Sequence, residues 1–314
     1  MAQPSAKPPW LRVRAPGGER YHQLRDTLHG LGLNTVCEHA RCPNVGTCWR
    51  EGTATVMLLG GSCTRRCRFC AVGPGVPAGL VDREEPARVA RAVAQIGLRY
   101  VVLTMVTRDD LPDGGAAVIA DTVQRLRALR PDILVEALVS DFGGQQSAVQ
   151  TVVDARPDVF AHNVEVVPSL TAHVRDPRCS YAQSLRVLEW AKAAAPDRPT
   201  KSSLMAGIGE SDEQLVAALR DLRAVGVDLV TIGQYLRPTR EHLPVERFVP
   251  PETFESYREQ ALGLGFAYVA SGPLVRSSYR AAELYLESAL GAGSRLGRAH
   301  PGAEAPVSAP GSAK

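Results

Sequence analysis

The chain has 314 residues, 45% hydrophobic and 22% charged, with a net charge of +3. Such a balance is ordinary for a globular protein, gives no basis for a nucleic-acid partner, and leaves no apolar run long enough for a membrane span or a signal core. The expected location is therefore cytoplasmic, where thiols stay reduced and clustered cysteines point to metal or redox chemistry before disulfides.

Residues 1 to 52 are rich in Pro, Gly and Arg and show no sustained period beyond a short helix expected at 21 to 30. They read as an extension wrapped on a core. From Thr53 onward, short apolar, β-branched runs at 54 to 60, 99 to 105, 132 to 139, 158 to 165, 200 to 207 and 227 to 234 predict strands. Amphipathic stretches between them, such as EEPARVARAVAQIG, GGAAVIADTVQRLRALR, YAQSLRVLEWAKAAA and DEQLVAALRDLRAVG, predict helices. About six alternations of strand and helix favour a parallel sheet covered by helices. No GxGxxG turn is present, so an α/β fold of the partial (β/α)6 TIM type is favoured over a doubly wound sheet. The barrel is expected over residues 53 to 240. A Pro-rich connection and C-terminal extension follow at 241 to 290, with a short strand in GFAYVA, and a disordered tail is expected at 291 to 314.

Six of the seven cysteines fall between residues 37 and 70. Cys63, Cys67 and Cys70 form C-x3-C-x2-C directly after the first strand, in a loop at the carboxyl end where barrel enzymes carry their sites. Thiolates suit iron–sulfur clusters or zinc, and a structural zinc site would want a fourth ligand; three cysteines leave one metal position open for chemistry. Cys37, Cys42 and Cys48 form C-x4-C-x5-C in the extension, a spacing also compatible with a stabilising metal knuckle.

The C-x3-C-x2-C motif, with Phe69 before its last cysteine, resembles the radical S-adenosylmethionine superfamily. CEHARCPNVGTCWREGTATVMLLGGSCTRRCRFC, together with KPPWLR, TMVTRDDLPDGGA, AHNVEVV, KSSLMAGIGE, TIGQYLRPT and GPLVRSSYRA, narrows the resemblance to the lipoyl synthase family. That resemblance implies two [4Fe-4S] clusters. Cys63, Cys67 and Cys70 would hold the one that reduces S-adenosylmethionine to a 5′-deoxyadenosyl radical. Cys37, Cys42 and Cys48 would hold an auxiliary cluster that is dismantled as the sulfur source, completed by a serine of RSSY, assigned to Ser278 with Ser277 as the alternative. An oxygen ligand is a poorer partner for iron than a thiolate, which suits a cluster meant to be consumed. The implied reaction inserts sulfur at C6 and C8 of a protein-bound octanoyl-lysine, with two cofactor molecules cleaved per product. Implied partners are octanoylated carrier domains (the glycine cleavage H protein, acyltransferase subunits of 2-oxoacid dehydrogenases), a ferredoxin or flavodoxin as electron donor, and a cluster-repair carrier, with no nucleic acid and no membrane. Rival readings are a radical enzyme using its auxiliary cluster for electron transfer, a two-cluster electron carrier, and a zinc-binding interaction protein.

Other residues carry weaker signals. Arg108, Asp109 and Asp110 follow the second strand, where they could contact cofactor or substrate or cap the next helix. Asn163 and Glu165 share a face if the fourth strand runs through them, and the resemblance assigns them to the cofactor. Arg175 is a further cofactor candidate, Arg178 a possible carboxylate partner, and Cys179 reads as a packed or incidental thiol. Lys201, Gln234 and Tyr235 are further site candidates at strand ends, and Gly207 and Gly209 allow either close approach to a cofactor or a plain turn.

Overall fold

The computed structural model describes residues 7–13, 15–77 and 79–278. In chain order the elements are α1 (Glu19–Gly30), β1 (Asn34–Thr35), α2 (Val36–His39), α3 (Val45–Glu51), β2 (Thr53–Leu58), β3 (Ser62–Cys63), β4 (Gly73–Pro74), α4 (Glu85–Ile96), β5 (Tyr100–Met105) and α5 (Ala116–Leu129). They continue as β6 (Leu134–Leu138), α6 (Gln146–Asp154), β7 (Val159–Ala161), α7 (Pro168–Val174), α8 (Tyr181–Ala194), β8 (Thr200–Ala206), α9 (Asp212–Ala224), β9 (Leu229–Gln234), α10 (Pro251–Gly263) and β10 (Tyr268–Gly272).

The main sheet runs β1-β2-β5-β6-β7-β8-β9-β10, and every pairing is parallel except β1 with β2. Among the described residues β1 and β10 are its unpaired ends, which makes it an open barrel. The six expected βα units are present. GFAYVA goes further than expected: as β10 it pairs in parallel with β9 and carries the sheet past residue 240. The expected tail at 291 to 314, and residues 279 to 290 of the C-terminal extension, lie outside the described residues.

Two faces of the sheet are distinguishable by what they touch. Val101, Leu103, Val135 and Ala137 pack with the helices, whereas Tyr100, Val102, Val159 and Leu229 form a separate cluster on the concave face. This alternation places Glu136 and Lys201 inside the barrel, where Lys201 Nζ lies 2.8 Å from both Glu136 oxygens and Tyr100 Oη donates to Glu136. A charge so enclosed needs a partner, and this one has it. Helix starts follow local chemistry: Ser180 accepts from the Gln183 N–H, and Ser211 with Gln214 forms a reciprocal capping box.

The N-terminal extension is more structured than its composition suggests. Leu24, Leu28 and fully buried Trp49 join the main core, and Tyr21 stacks on Trp49 at 5.2 Å between ring centroids.

Candidate active site

Three tethers deliver the C-x3-C-x2-C loop to the carboxyl end of the barrel. Glu85, at the start of α4, accepts the Leu59 N–H at 2.7 Å and holds that residue in a left-handed conformation (φ 68°) at the exit of β2. The two-residue ladder of β3 with β4 then closes the loop on itself, with the Gly75 N–H donating to the Cys63 carbonyl at 2.8 Å. Finally, Arg66 N–H donates to Asp176 at 2.8 Å, Arg68 N–H to the Val174 carbonyl at 2.9 Å, and Leu243 N–H to the Arg68 carbonyl at 3.2 Å.

Arg65 locks this arrangement from beneath. It is buried, with its guanidinium 2.8 Å from Asp109 and 2.7 Å from Asp141, and it donates to Cys179 Sγ at 3.1 Å. Although burial works against ionisation of Asp141, Arg65 outweighs it and holds the carboxyl at about 2. Sequence reasoning did not single out Arg65 or Asp141; among so many arginines, one between two cysteines carries no distinguishing mark.

A cavity of about 620 Å³ opens above the barrel, and Cys63, Cys67, Cys70, Phe69, Asn163, Glu165 and Arg175 all line it. Cys37, Cys42, Ser277 and Ser278 line the same cavity. A small chamber of about 20 Å³ beside it is walled by Cys37, Cys42, Cys48 and Ser278, but not by Ser277. All seven cysteines are free thiols. Among the described residues no three His, Cys, Asp or Glu converge as on a single ion; Cys37, Cys42 and Cys48 wall the small chamber and Cys63, Cys67 and Cys70 line the cavity, and thiolates are the ligands that iron–sulfur clusters take, one to each iron. By its chemistry, three thiols with an oxygen donor beside one set, this donor set suits such a group in both places.

Burial pushes Cys37 and Cys70 up to about 11 each, the neighbouring thiols Cys42 and Cys63 adding to it, and burial also raises Cys42. Cys179 is not incidental: it lines the cavity in a hydrogen bond with Cys67, which lowers it to about 6 with help from Arg175 and Arg65 and raises Cys67. The expectation of a merely packed thiol missed this because Cys67 and Cys179 meet only through the fold.

Asn163 and Glu165 do come together, but not on a strand. β7 ends at Ala161, and Glu165 has φ 69°, which brings Asn163 Nδ2 to 3.1 Å from Glu165 Oε1. Burial raises Glu165, partly offset by Arg175. Arg175 is buried, donates to Ser184 Oγ at 2.8 Å and leaves its Nε without a partner among the described residues. Arg175 lines the cavity, and a guanidinium with a nitrogen still to be satisfied suits a carboxylate.

Several expectations are corrected. Asp109 and Asp110 neither line the cavity nor cap a helix: Asp109 holds Arg65 and Thr64, Asp110 holds Arg108 and the Gly79 N–H, and Asp113 bonds the N–H groups of Gly115 and Ala117. Arg178 is an ion-pair partner of Asp109 and Asp176. Lys201 lies off the cavity, consumed by Glu136. Gln234 and Tyr235 line it, yet their polar atoms serve backbone groups: Gln234 Nε2 donates to the Ala206, Tyr235 and Arg247 carbonyls and Tyr235 Oη to Leu243. Gly207 makes room for the Arg247 carbonyl, 2.2 Å from where a Cβ would stand, rather than for a cofactor.

Comparison with known proteins agrees with this geometry. Residues 57–222 match the Radical SAM superfamily model, and residues 3–42 match the N-terminal domain of lipoyl synthase of the Radical SAM family. A lipoyl synthase of Sorangium cellulosum is 61% identical, the alignment covering 97% of this chain and 86% of that relative, and one of Thermus thermophilus is 56% identical over 90% and 87%. The fold is similar to that of methylornithine synthase, with a TM-score of 0.54 and 13% identity over 78% of this chain and 74% of that one. It is also similar to an FeFe-hydrogenase maturase of Carboxydothermus hydrogenoformans, with a TM-score of 0.53 and 14% identity over 68% and 51%. With an open parallel barrel, a C-x3-C-x2-C loop at its mouth and such identity over nearly its whole length, the chain belongs to the lipoyl synthase family, sulfur-inserting enzymes of the radical S-adenosylmethionine superfamily.

Proposed function

We propose that Cys63, Cys67 and Cys70 hold a radical-generating [4Fe-4S] cluster and that Cys37, Cys42, Cys48 and Ser278 hold a second, sulfur-donating one. When bound, the first supplies an electron to S-adenosylmethionine, two molecules of which are consumed per lipoyl group. The observation that carries this reading is the shared cavity: Cys37, Cys42 and Ser278 line the same space as the radical triad, so both groups address one substrate.

The chain's own residues divide the remaining work. Arg175 Nε binds the cofactor carboxylate, Glu165 accepts from its amino group with Asn163 fixing the carboxylate, and Phe69 backs the cofactor with the apolar cluster of Val166, Ile208 and Tyr235. Met57, Leu138, Val139 and Met205 line the same space and give an octanoyl chain an apolar bed that excludes water. The extension of residues 1 to 52 serves the auxiliary site, residues 53 to 240 the radical chemistry, and residues 241 to 290 supply the serine ligand. Substrates are octanoylated lipoyl carrier domains, of the glycine cleavage H protein or the 2-oxoacid dehydrogenase acyltransferases. A ferredoxin or flavodoxin supplies electrons, a separate carrier restores the auxiliary cluster, and the reaction belongs in the cytoplasm; among the described residues no helix is long and apolar enough to cross a membrane.

The test is anaerobic. The protein is reconstituted with iron and sulfide, then given dithionite, S-adenosylmethionine and an octanoyl-lysine peptide, and the peptide is followed by mass spectrometry. The expected product has gained two sulfurs and lost two hydrogens, or is its dithiol. Cys37→Ala should abolish sulfur insertion while cofactor cleavage persists; cleavage and insertion lost together would remove the division of labour between the triads.

A further inference from the structure

The segment that carries the serine is clamped from two directions. Asn44, between Cys42 and Cys48, donates to the Leu274 carbonyl at 2.6 Å. On the barrel side, Arg276 Nη1 donates to the Gln234 carbonyl at 3.2 Å and the Val275 carbonyl at 2.6 Å. This fixes the guanidinium of Arg276 in the wall common to the main cavity and the small chamber. Its Nη2 is buried and has no partner among the described residues. Among the described residues, the ionisable side chains on the chamber wall besides Arg276 are the thiols of Cys37, Cys42 and Cys48, and none is a carboxylate.

A guanidinium keeps its charge at any physiological pH, and an enclosed cation without a counter-ion is expensive. Removing the charge by deprotonation is closed to arginine, and among the described residues no side chain supplies the compensation, which leaves that place to a negatively charged group bound in the chamber. A four-iron cluster held by thiolates carries net negative charge, and donors to its sulfurs are a recognised means of setting its potential. We propose that Arg276 is a positioning residue that donates its free Nη2–H to a sulfur of the auxiliary cluster, serving as that cluster's counter-ion and fixing the neighbouring Ser278 against it. This rests on the reading that Cys37, Cys42 and Cys48 hold such a cluster. The position also explains the double anchoring of Nη1: a hydrogen bond to a cluster has directional value only if the donor cannot swing away.

A cation and donor beside the cluster favours its more reduced, more negative state, so its removal shifts the midpoint potential downward. The full chain with Cys63, Cys67 and Cys70 replaced by Ala isolates the auxiliary site for redox titration followed by electron paramagnetic resonance. In that background Arg276→Gln should give a more negative potential and release iron to a chelator severalfold faster, while Arg276→Lys recovers most of the potential. The same potential and release rate in Arg276→Gln would overturn the assignment. A second measurement does not depend on how the glutamine variant folds: with 15N-labelled arginine, the reduced auxiliary cluster should show a nitrogen hyperfine coupling that Arg276→Lys removes, and its absence overturns the assignment equally. If the background chain binds no four-iron cluster at all, the reading of the first triad fails and the role of Arg276 falls with it; a cluster present but indifferent to Arg276 overturns only the latter.

Discussion

His162 shows how much of the site rests on side chains outside the cysteine triads. It lines the cavity, fully enclosed, with Nδ1 2.8 Å from the Val139 carbonyl and Nε2 3.0 Å from Ser184 Oγ. Burial first, and Arg175 second, lower its pKa from 6.5 to about 4, with Asp141 pulling the other way. The unfolded chain therefore binds this proton more readily than the folded one. The stability contributed by the neutral ring is complete above about pH 6.5 and is lost progressively as the pH falls toward 4. At about 1.4 kcal/mol per pH unit the interval amounts to about 3 kcal/mol. Urea unfolding between pH 7 and pH 4.5 should show His162→Gln losing less stability than the parent across this range; parallel curves would mean that other groups carry the acid sensitivity. Nothing in AHNVE announces His162, because its role comes from Ser184 and Arg175, residues that reach it only after α7 and α8 have folded over β7.

At the scale of elements, β9 lies between β8 and β10 and seats the serine segment. Its Gly233 lies between Met205 of β8 and Gly272 of β10, and a Cβ there would stand 2.1 Å from the Val275 carbonyl oxygen. That contact is with backbone, so it cannot be relieved by turning a side chain, and Gly233→Ala should push Val275 and the following residues outward at a cost of about 1–3 kcal/mol. The expected outcome is a folded chain that keeps the radical-site iron and cleaves S-adenosylmethionine but loses auxiliary-site iron and sulfur insertion. Iron analysis with cofactor cleavage measured on the same sample checks it, and unchanged iron content would show that the segment tolerates the shift. The strands themselves were legible because parallel strands covered on both faces read as unbroken apolar runs, as TATVML and YVVLTM do. The departures have physical causes. β7 ends at Ala161 and the chain returns to the sheet at the left-handed Glu165, which bridges Leu204 of β8, while GFAYVA, separated from β9 by a long Pro-rich connection, packs against α10 and pairs with β9.

For the whole molecule, the two cysteine triads were legible because thiol spacing survives any fold, whereas the environment that tunes them was not. Arg65 reaches Asp109 and Asp141 across separate βα loops, Cys67 meets Cys179, and Asn44 meets Leu274, each pair distant in sequence and adjacent only in the barrel. The last of these joins the two ends of the described chain: the extension is attached to the barrel through the two-residue β1 ladder and the core around Trp49, and to the C-terminal segment through Asn44. If the auxiliary group bridges Cys37, Cys42, Cys48 and Ser278, its binding free energy is shared by both ends and adds to the stability of the assembled molecule. At a hundredfold excess over its dissociation constant a bound group contributes about 2.7 kcal/mol. A chain of this size gains about 2–4 °C in Tm per kcal/mol, so anaerobic chelation should lower Tm by roughly 5–10 °C. Limited proteolysis should then cut first within residues 7 to 52 and after residue 272, leaving the barrel intact, and the same two sites should open in Cys42→Ala but not in Cys67→Ala. Equal melting and identical cleavage with and without iron would show that the extension and the C-terminal segment are held by packing alone, and that the auxiliary site is a passenger on a surface already formed.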